Sequence, residues 1–280
     1  MDEHFRAFTF VDCITLLRPG VGIHGRYSIP AGLRDFPASL VAESIGQLAA
    51  WAAMAAVDFR SRPVAGLAAS VELFAPARPG QELDLAVELD TVDEDAVAYS
   101  GTASVGGTVY VRLRDCVGPM VPLVEFDDPQ ALRDQFARLS GAGATPGGFG
   151  GLPAFSFQRD GGEVGRSARA VLRVPTSAPF FADHFPRRPV FPGSLLMHLN
   201  LELAAALSAE VAVPKPGAHW KLQSVTDVKL RAFIAPGETL GLEARLMDGS
   251  PDSAGVIVET RRGGAKIGSV RLHFVLEELL

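Results

Sequence analysis

The chain has 280 residues, 48% of them hydrophobic and 21% charged, enough to bury a sizeable core and long enough for two ordinary domains. Its formal net charge is −6 with acids and bases interspersed, so it has no basic tract to neutralise a row of phosphates, and nucleic acid is not an expected partner. Cys13 and Cys116 lie far apart without metal-ligand spacing, which reads as two reduced, packed thiols rather than a disulfide framework.

From the N-terminus, Met1-Asp2-Glu3-His4 places acid before any apolar run, the wrong charge for the start of a secretory signal, so the cytoplasm is the expected compartment. His24 falls in a strand-like stretch and reads as a packing or surface residue. A helix is predicted from about Pro37 to Val57. Its apolar run is interrupted by Glu43 and Gln47, which would be costly in lipid, so the expectation is a buried helix and no membrane span. Ser39, Glu43 and Gln47 recur every four residues and form a polar row on one face. From Glu82 to Asp90, Leu83, Leu85, Val87 and Leu89 alternate with acidic residues over most of the run, predicting a strand with one wet face. The predicted helix is apolar nearly all round, so the dry face of the sheet is expected to wrap it. Asp128 to Leu139 predicts a short helix, and Gly141 to Gly151 is too glycine-rich for regular structure. Strand-like sequence resumes from Ala168 to Val174 and ends in Lys266 to Val275.

The chain repeats itself. Phe36-Pro37-Ala38-Ser39-Leu40 matches Phe191-Pro192-Gly193-Ser194-Leu195 at an offset of 155. Further on the offset becomes 157, where Pro79-Gly80 matches Pro236-Gly237 and Gly106-Gly107 matches Gly263-Gly264, a shift that a two-residue insertion after the helix explains. The Gly-Gly pairs suit hairpin turns that need positive φ. Each half therefore reads as one helix and several strands, an α+β chain of two tandem repeats. The expected division is an N-terminal repeat over 1–140, a linker over 141–152 and a C-terminal repeat over 153–280.

The segment running from Ala178 through His184-Phe185-Pro186 to Pro192-Gly193 resembles the signature of bacterial 3-hydroxyacyl-acyl carrier protein dehydratases. That signature is His-Phe-Pro, a short loop, Pro-Gly, then a helix whose second turn carries an acid followed four residues later by Gln. The resemblance implies a double hot-dog fold, each repeat an antiparallel sheet around a central helix, with a site that takes its histidine from one unit and its acid from the other. Each half departs from the pattern at a different place. In the second half His198 and Glu202 stand where the acid and Gln belong. In the first half Glu43 and Gln47 are in place, but Ile29 stands at the histidine position. The resemblance thus implies one complete site built on His184 and Glu43, and a vestigial one near Ile29 and His198.

The resemblance implies removal of water from a (3R)-hydroxyacyl thioester to give the trans-2-enoyl product, and these residue types suit such an elimination. An imidazole can take the proton next to the thioester carbonyl, and a carboxyl kept protonated by burial can protonate the leaving hydroxyl. The N–H of Gly193, at a helix N-terminus, is the candidate donor to the carbonyl, and Gln47 is expected to orient the acid. Phe185 and Pro192 complete the expected substrate-facing set. Arg187 and Arg188, with Lys215, Lys221, Lys229 and Arg231 nearby, are candidates to receive an acidic carrier protein bearing the phosphopantetheine-linked acyl chain. No metal or redox cofactor is expected, and assembly into a homo-oligomer stays open. Two other readings compete: a hot-dog thioesterase working through a helical carboxylate without a His-Phe-Pro loop, and a non-catalytic acyl-binding subunit. Taken singly, each residue also has a plain structural reading: His184 as a loop anchor, Gln47 as a partner for backbone groups, Gly193 as a turn, and His198 with Glu202 as a local pair.

Overall fold

A computed structural model of the chain describes residues 5–211, 217–250 and 252–278. In chain order the first half contains β1 (Cys13–Arg18), β2 (Gly22–Ser28), α1 (Ala38–Ala56), β3 (Ser61–Pro63), β4 (Leu67–Leu73), β5 (Glu82–Val92), β6 (Ala96–Val105), β7 (Thr108–Pro122) and α2 (Pro129–Ser140). The second half contains β8 (Ser156–Arg159), β9 (Ser167–Arg173), α3 (Gly193–Ser208), β10 (Ala218–Leu230), β11 (Thr239–Ser250), β12 (Ser253–Arg262) and β13 (Ala265–Glu278).

The strands join into one antiparallel sheet in the order β1-β2-β5-β6-β7-β4-β10-β13-β12-β11-β9-β8, with β3 beside β7. Read from its two ends the order is the same: β1, β2, β5, β6, β7 and β4 answer to β8, β9, β11, β12, β13 and β10. The two halves meet where β4 pairs β10, with Val71 opposite Val225 and Ser70 opposite Thr226. The Gly-Gly pairs do what their conformational freedom suggests: Gly106 and Gly107 (φ 56° and 81°) turn β6 into β7, and Gly263 and Gly264 (φ 54° and 85°) turn β12 into β13. Two successive positive φ values are the two-residue hairpin that matches strand twist.

Each half of the sheet wraps its own helix, and α1 and α3 also touch one another. The dry face of β5 is Leu83, Leu85, Val87 and Leu89, while Leu40, Ile45 and Leu48 of α1 are fully buried. Each such side chain contributes about 1.5–3 kcal/mol relative to exposure. The short helix expected near Asp128 is α2, whose first turn is capped by the Asp128 carboxylate accepting from the N–H groups of Gln130 and Ala131 at 2.9 and 3.1 Å. The chain is thus an α+β double hot-dog. Among the described residues no helix is long and apolar enough to cross a membrane.

Candidate active site

A cavity of about 270 Å³ lies at the seam between the halves, where Val71 of β4 and Val225 of β10 form part of its wall. His184, from the loop before α3, and Glu43, from the second turn of α1, both face it, and so do Gln47, Phe185 and Gly193. Pro192 does not. It is buried behind the wall, with φ −58° and ψ 133°, and starts α3.

The histidine is oriented from behind. Its Nδ1 lies 2.8 Å from the Val190 carbonyl oxygen, an acceptor only, so Nδ1 carries the proton and Nε2 keeps a free lone pair in the neutral ring. Phe185 stacks on it, with centroids 4.0 Å apart and planes at 23°. Burial pulls the His184 pKa down to about 4; the hydrogen bond to Val190 opposes that shift and the Arg62 charge adds to it, so the ring is neutral at pH 7.

Glu43 shifts the other way. Burial raises its pKa, against lowering contributions from Gln47, Ser194 and Arg62. Gln47 Nε2 donates to Glu43 Oε1 at 3.0 Å and to the Phe8 carbonyl at 3.0 Å, while Gln47 Oε1 accepts the Phe10 N–H at 2.8 Å. Two backbone partners of fixed polarity decide which way the amide points. Glu43 Oε1 is then an acceptor, so a protonated carboxyl carries its proton on Oε2. Ser194, in the first turn of α3, brings its buried hydroxyl near this carboxyl without hydrogen-bonding geometry. The acid from the first copy therefore lies at the head of the second copy's helix. Gly193, the first residue of that helix, has no intrahelical acceptor for its N–H.

The roles of several wall residues have no signal in the sequence, including that of Asp183, which adjoins His184 in the chain. Arg62 of β3 stacks its guanidinium 3.6 Å from the centre of the Phe185 ring and lies 3.7 Å from the Asp127 carboxylate. Asp183 accepts the N–H groups of Phe5, Ala7 and Phe8, the last two at 2.8 and 2.7 Å, tying the N-terminal segment to the histidine loop. Tyr99 faces the same cavity, its phenol held protonated mainly by burial. An apolar end is lined by Trp51, Met54 and Leu132.

The remaining candidates lie elsewhere. Ile29 is 2% exposed, and His198, outside the cavity wall, sits 3.4 Å from Glu202 as an i, i+4 pair. Arg187 is held by Asp128 at 2.8 Å and by the Val124 carbonyl at 3.1 Å, and Arg188 by Glu125 at 3.5 Å. Lys221 of β10 pairs with Glu277. Lys215 lies outside the described residues.

Residues 162–259 match the family described as ApeI-like, ApeI dehydratase. The 3-hydroxyacyl-[acyl-carrier-protein] dehydratase FabZ of Tolumonas auensis is 31% identical over 103 residues, 36% of this chain and 61% of that protein. The FabZ of Albidiferax ferrireducens is 34% identical over 87 residues, 30% of this chain and 58% of that protein. The chain therefore spans about six tenths of the length of these relatives. A solved structure titled as a putative oleoyl thioesterase from Lactobacillus plantarum shares the fold across 91% of this chain and 96% of its own, with TM-score 0.60 and 10% identity. A hot-dog protein from Alicyclobacillus acidocaldarius does so across 96% and 97%, with TM-score 0.52 and 13% identity. The chain thus has the hot-dog fold, and its second half is similar to the 3-hydroxyacyl-acyl carrier protein dehydratase-like proteins.

Proposed function

We propose that the chain removes water from a (3R)-hydroxyacyl thioester, carried on acyl carrier protein, to give the trans-2-enoyl thioester in fatty acid or polyketide-type biosynthesis. The observation that carries this reading is a neutral histidine with a free Nε2 and a carboxyl with a raised pKa, one from each copy, in the wall of one largely apolar cavity. His184 Nε2 takes the proton from C2, and Glu43 gives its proton to the hydroxyl leaving C3. The Gly193 N–H and the α3 N-terminus hold the thioester carbonyl as negative charge grows on its oxygen, an interaction whose loss costs roughly 3–4 kcal/mol in comparable sites. Gln47 fixes the carboxyl. Phe185 sets the ring plane, and Pro192 contributes through the start of α3 rather than by touching substrate.

Arg187 and Arg188 stand as the proposed carrier contacts, at the outer end of the histidine loop. Their pairing with Asp128 and Glu125 leaves less free positive charge than the sequence suggests, so each alone contributes little. Changing both to Glu is expected to raise KM for a carrier-bound substrate while leaving the pantetheine substrate unaffected. An unchanged KM removes them from the docking surface.

The test of the reaction is direct. Purified protein is given a 3-hydroxyacyl carrier thioester, and enoyl formation and free thiol are followed for wild type, His184→Ala and Glu43→Gln. Enoyl product lost in both variants is the expected result. Thiol release without enoyl product would instead make the chain a thioesterase, and neither signal would make it an acyl-binding subunit.

A further inference from the structure

Arg62 enters the cavity from the three-residue strand β3, held by pairing with Val121 of β7. Its side chain is 12% exposed, and its Nε and Nη1 are buried with no hydrogen-bond partner in the chain. Asp127 supplies a counter-charge at 3.7 Å, beyond hydrogen-bond distance. The stack on Phe185 anchors the guanidinium beside His184, and its charge acts on His184 and Glu43 alike. Buried N–H groups left unmade are expensive, and the Arg62 side chain forms part of the wall of the cavity where the substrate would lie.

We propose that Arg62 is a third substrate-facing group, donating a hydrogen bond to the 3-hydroxyl oxygen as the C3–O bond breaks. The inference rests on the dehydration reading above. A 3-hydroxyacyl thioester offers two acceptors at its reacting end, the carbonyl and the hydroxyl. The carbonyl has the Gly193 N–H at the head of α3, in the second copy. Arg62 belongs to the first copy, with Glu43, whose carboxyl acts on it in turn. As Nε2 takes the C2 proton, that electron pair forms the C2–C3 double bond, the C3–O pair leaves with oxygen, and the Glu43 proton completes water. Arg62 transfers no proton; it steadies the oxygen while charge develops there. Burial pulls its pKa down to about 10, so it remains cationic at neutral pH, and Asp127 balances it.

The experiment compares two probes that do not react, the 3-hydroxyacyl and the saturated acyl amides of pantetheine, by calorimetry. Wild type is expected to prefer the hydroxylated probe by about ten- to hundredfold. Arg62→Lys keeps the charge opposite Asp127 but loses the planar donors. Arg62→Met combined with Asp127→Asn removes both charges and strands neither. Both variants are expected to bring the ratio towards one and to lower kcat/KM for dehydration. A purely structural Arg62 would weaken both probes equally, so an unchanged ratio in the variants overturns the proposal, as does a wild-type ratio near one. A wild type that discriminates the probes yet forms no enoyl product would overturn the dehydration reading and leave Arg62 as a hydroxyl donor.

Discussion

A ring nitrogen hydrogen-bonded to a carbonyl oxygen has no choice but to carry the proton, and this fixes what His184 can do. Its Nε2 can only accept, and with a pKa of about 4 it is ready to accept over most of the accessible pH range. The unfolded chain binds a proton at His184 near pH 6.5 and the folded chain only near 4, so the stability of the neutral ring is present above 6.5 and lost as pH falls through that window. Glu43 has the opposite sign: its raised pKa stabilises the fold below the ordinary carboxylate value and loses that contribution as pH rises through the folded value. Activity needs the neutral ring and the protonated acid together. The kcat/KM profile should therefore have its acid limb near pH 4 and an alkaline limb above the ordinary carboxylate range. Whatever trace of rate survives in Glu43→Gln should lack the alkaline limb and keep the acid one. An acid limb near 6.5 would mean that the ring is solvated as an ordinary histidine.

At the scale of elements, the segment from Phe5 to Phe10 acts as a strap across the copies. One end hangs on the Asp183 carboxylate of the histidine loop and the other on the Gln47 amide of α1, so backbone N–H groups connect the supports of base and acid. Hydrogen bonds to a carboxylate are the stronger kind. Asp183→Ala leaves at least two part-buried N–H groups without that acceptor and should cost about 1–3 kcal/mol, read as faster amide exchange at Ala7 and Phe8 and a lower kcat. Unchanged exchange there would show that the strap is held elsewhere. The helix that carries Glu43 depends on a missing side chain. A methyl on Gly101 of β6 would stand 2.5 Å from Ile45 Cγ2 and 2.8 Å from the Ala86 carbonyl oxygen, so α1 lies as close to the sheet as a glycine permits. Gly101→Ala should destabilise the fold by about 1–3 kcal/mol in urea unfolding and shift Glu43 with the helix, lowering activity as well.

For the molecule as a whole, what the sequence discloses is what has a local signature. Alternation along β5, positive φ at the glycine pairs and the repeated Phe-Pro helix entry are each written within a few residues, so the paired halves are legible before any coordinates. Arg62 has no such signature: β3 is too short to show a period, and its partner Asp127 arrives only because β7 returns the chain to the same place. Asp183 is likewise silent, since its partners lie at the opposite end of the sequence. The same symmetry poses the final question of how many sites the chain has. A palindromic sheet offers two equivalent places beside the β4–β10 seam. At the second, the histidine position holds buried Ile29, which cannot move a proton, and the acid position holds His198, engaged with Glu202 outside the cavity wall. A tight-binding 3-hydroxyacyl amide should accordingly titrate at one per chain. His198→Ala should change kcat/KM by less than about twofold, as for a residue outside the cavity wall, whereas His184→Ala abolishes turnover. Two ligands bound per chain, or a large loss in His198→Ala, would mean that the second copy's helix still takes part in the chemistry.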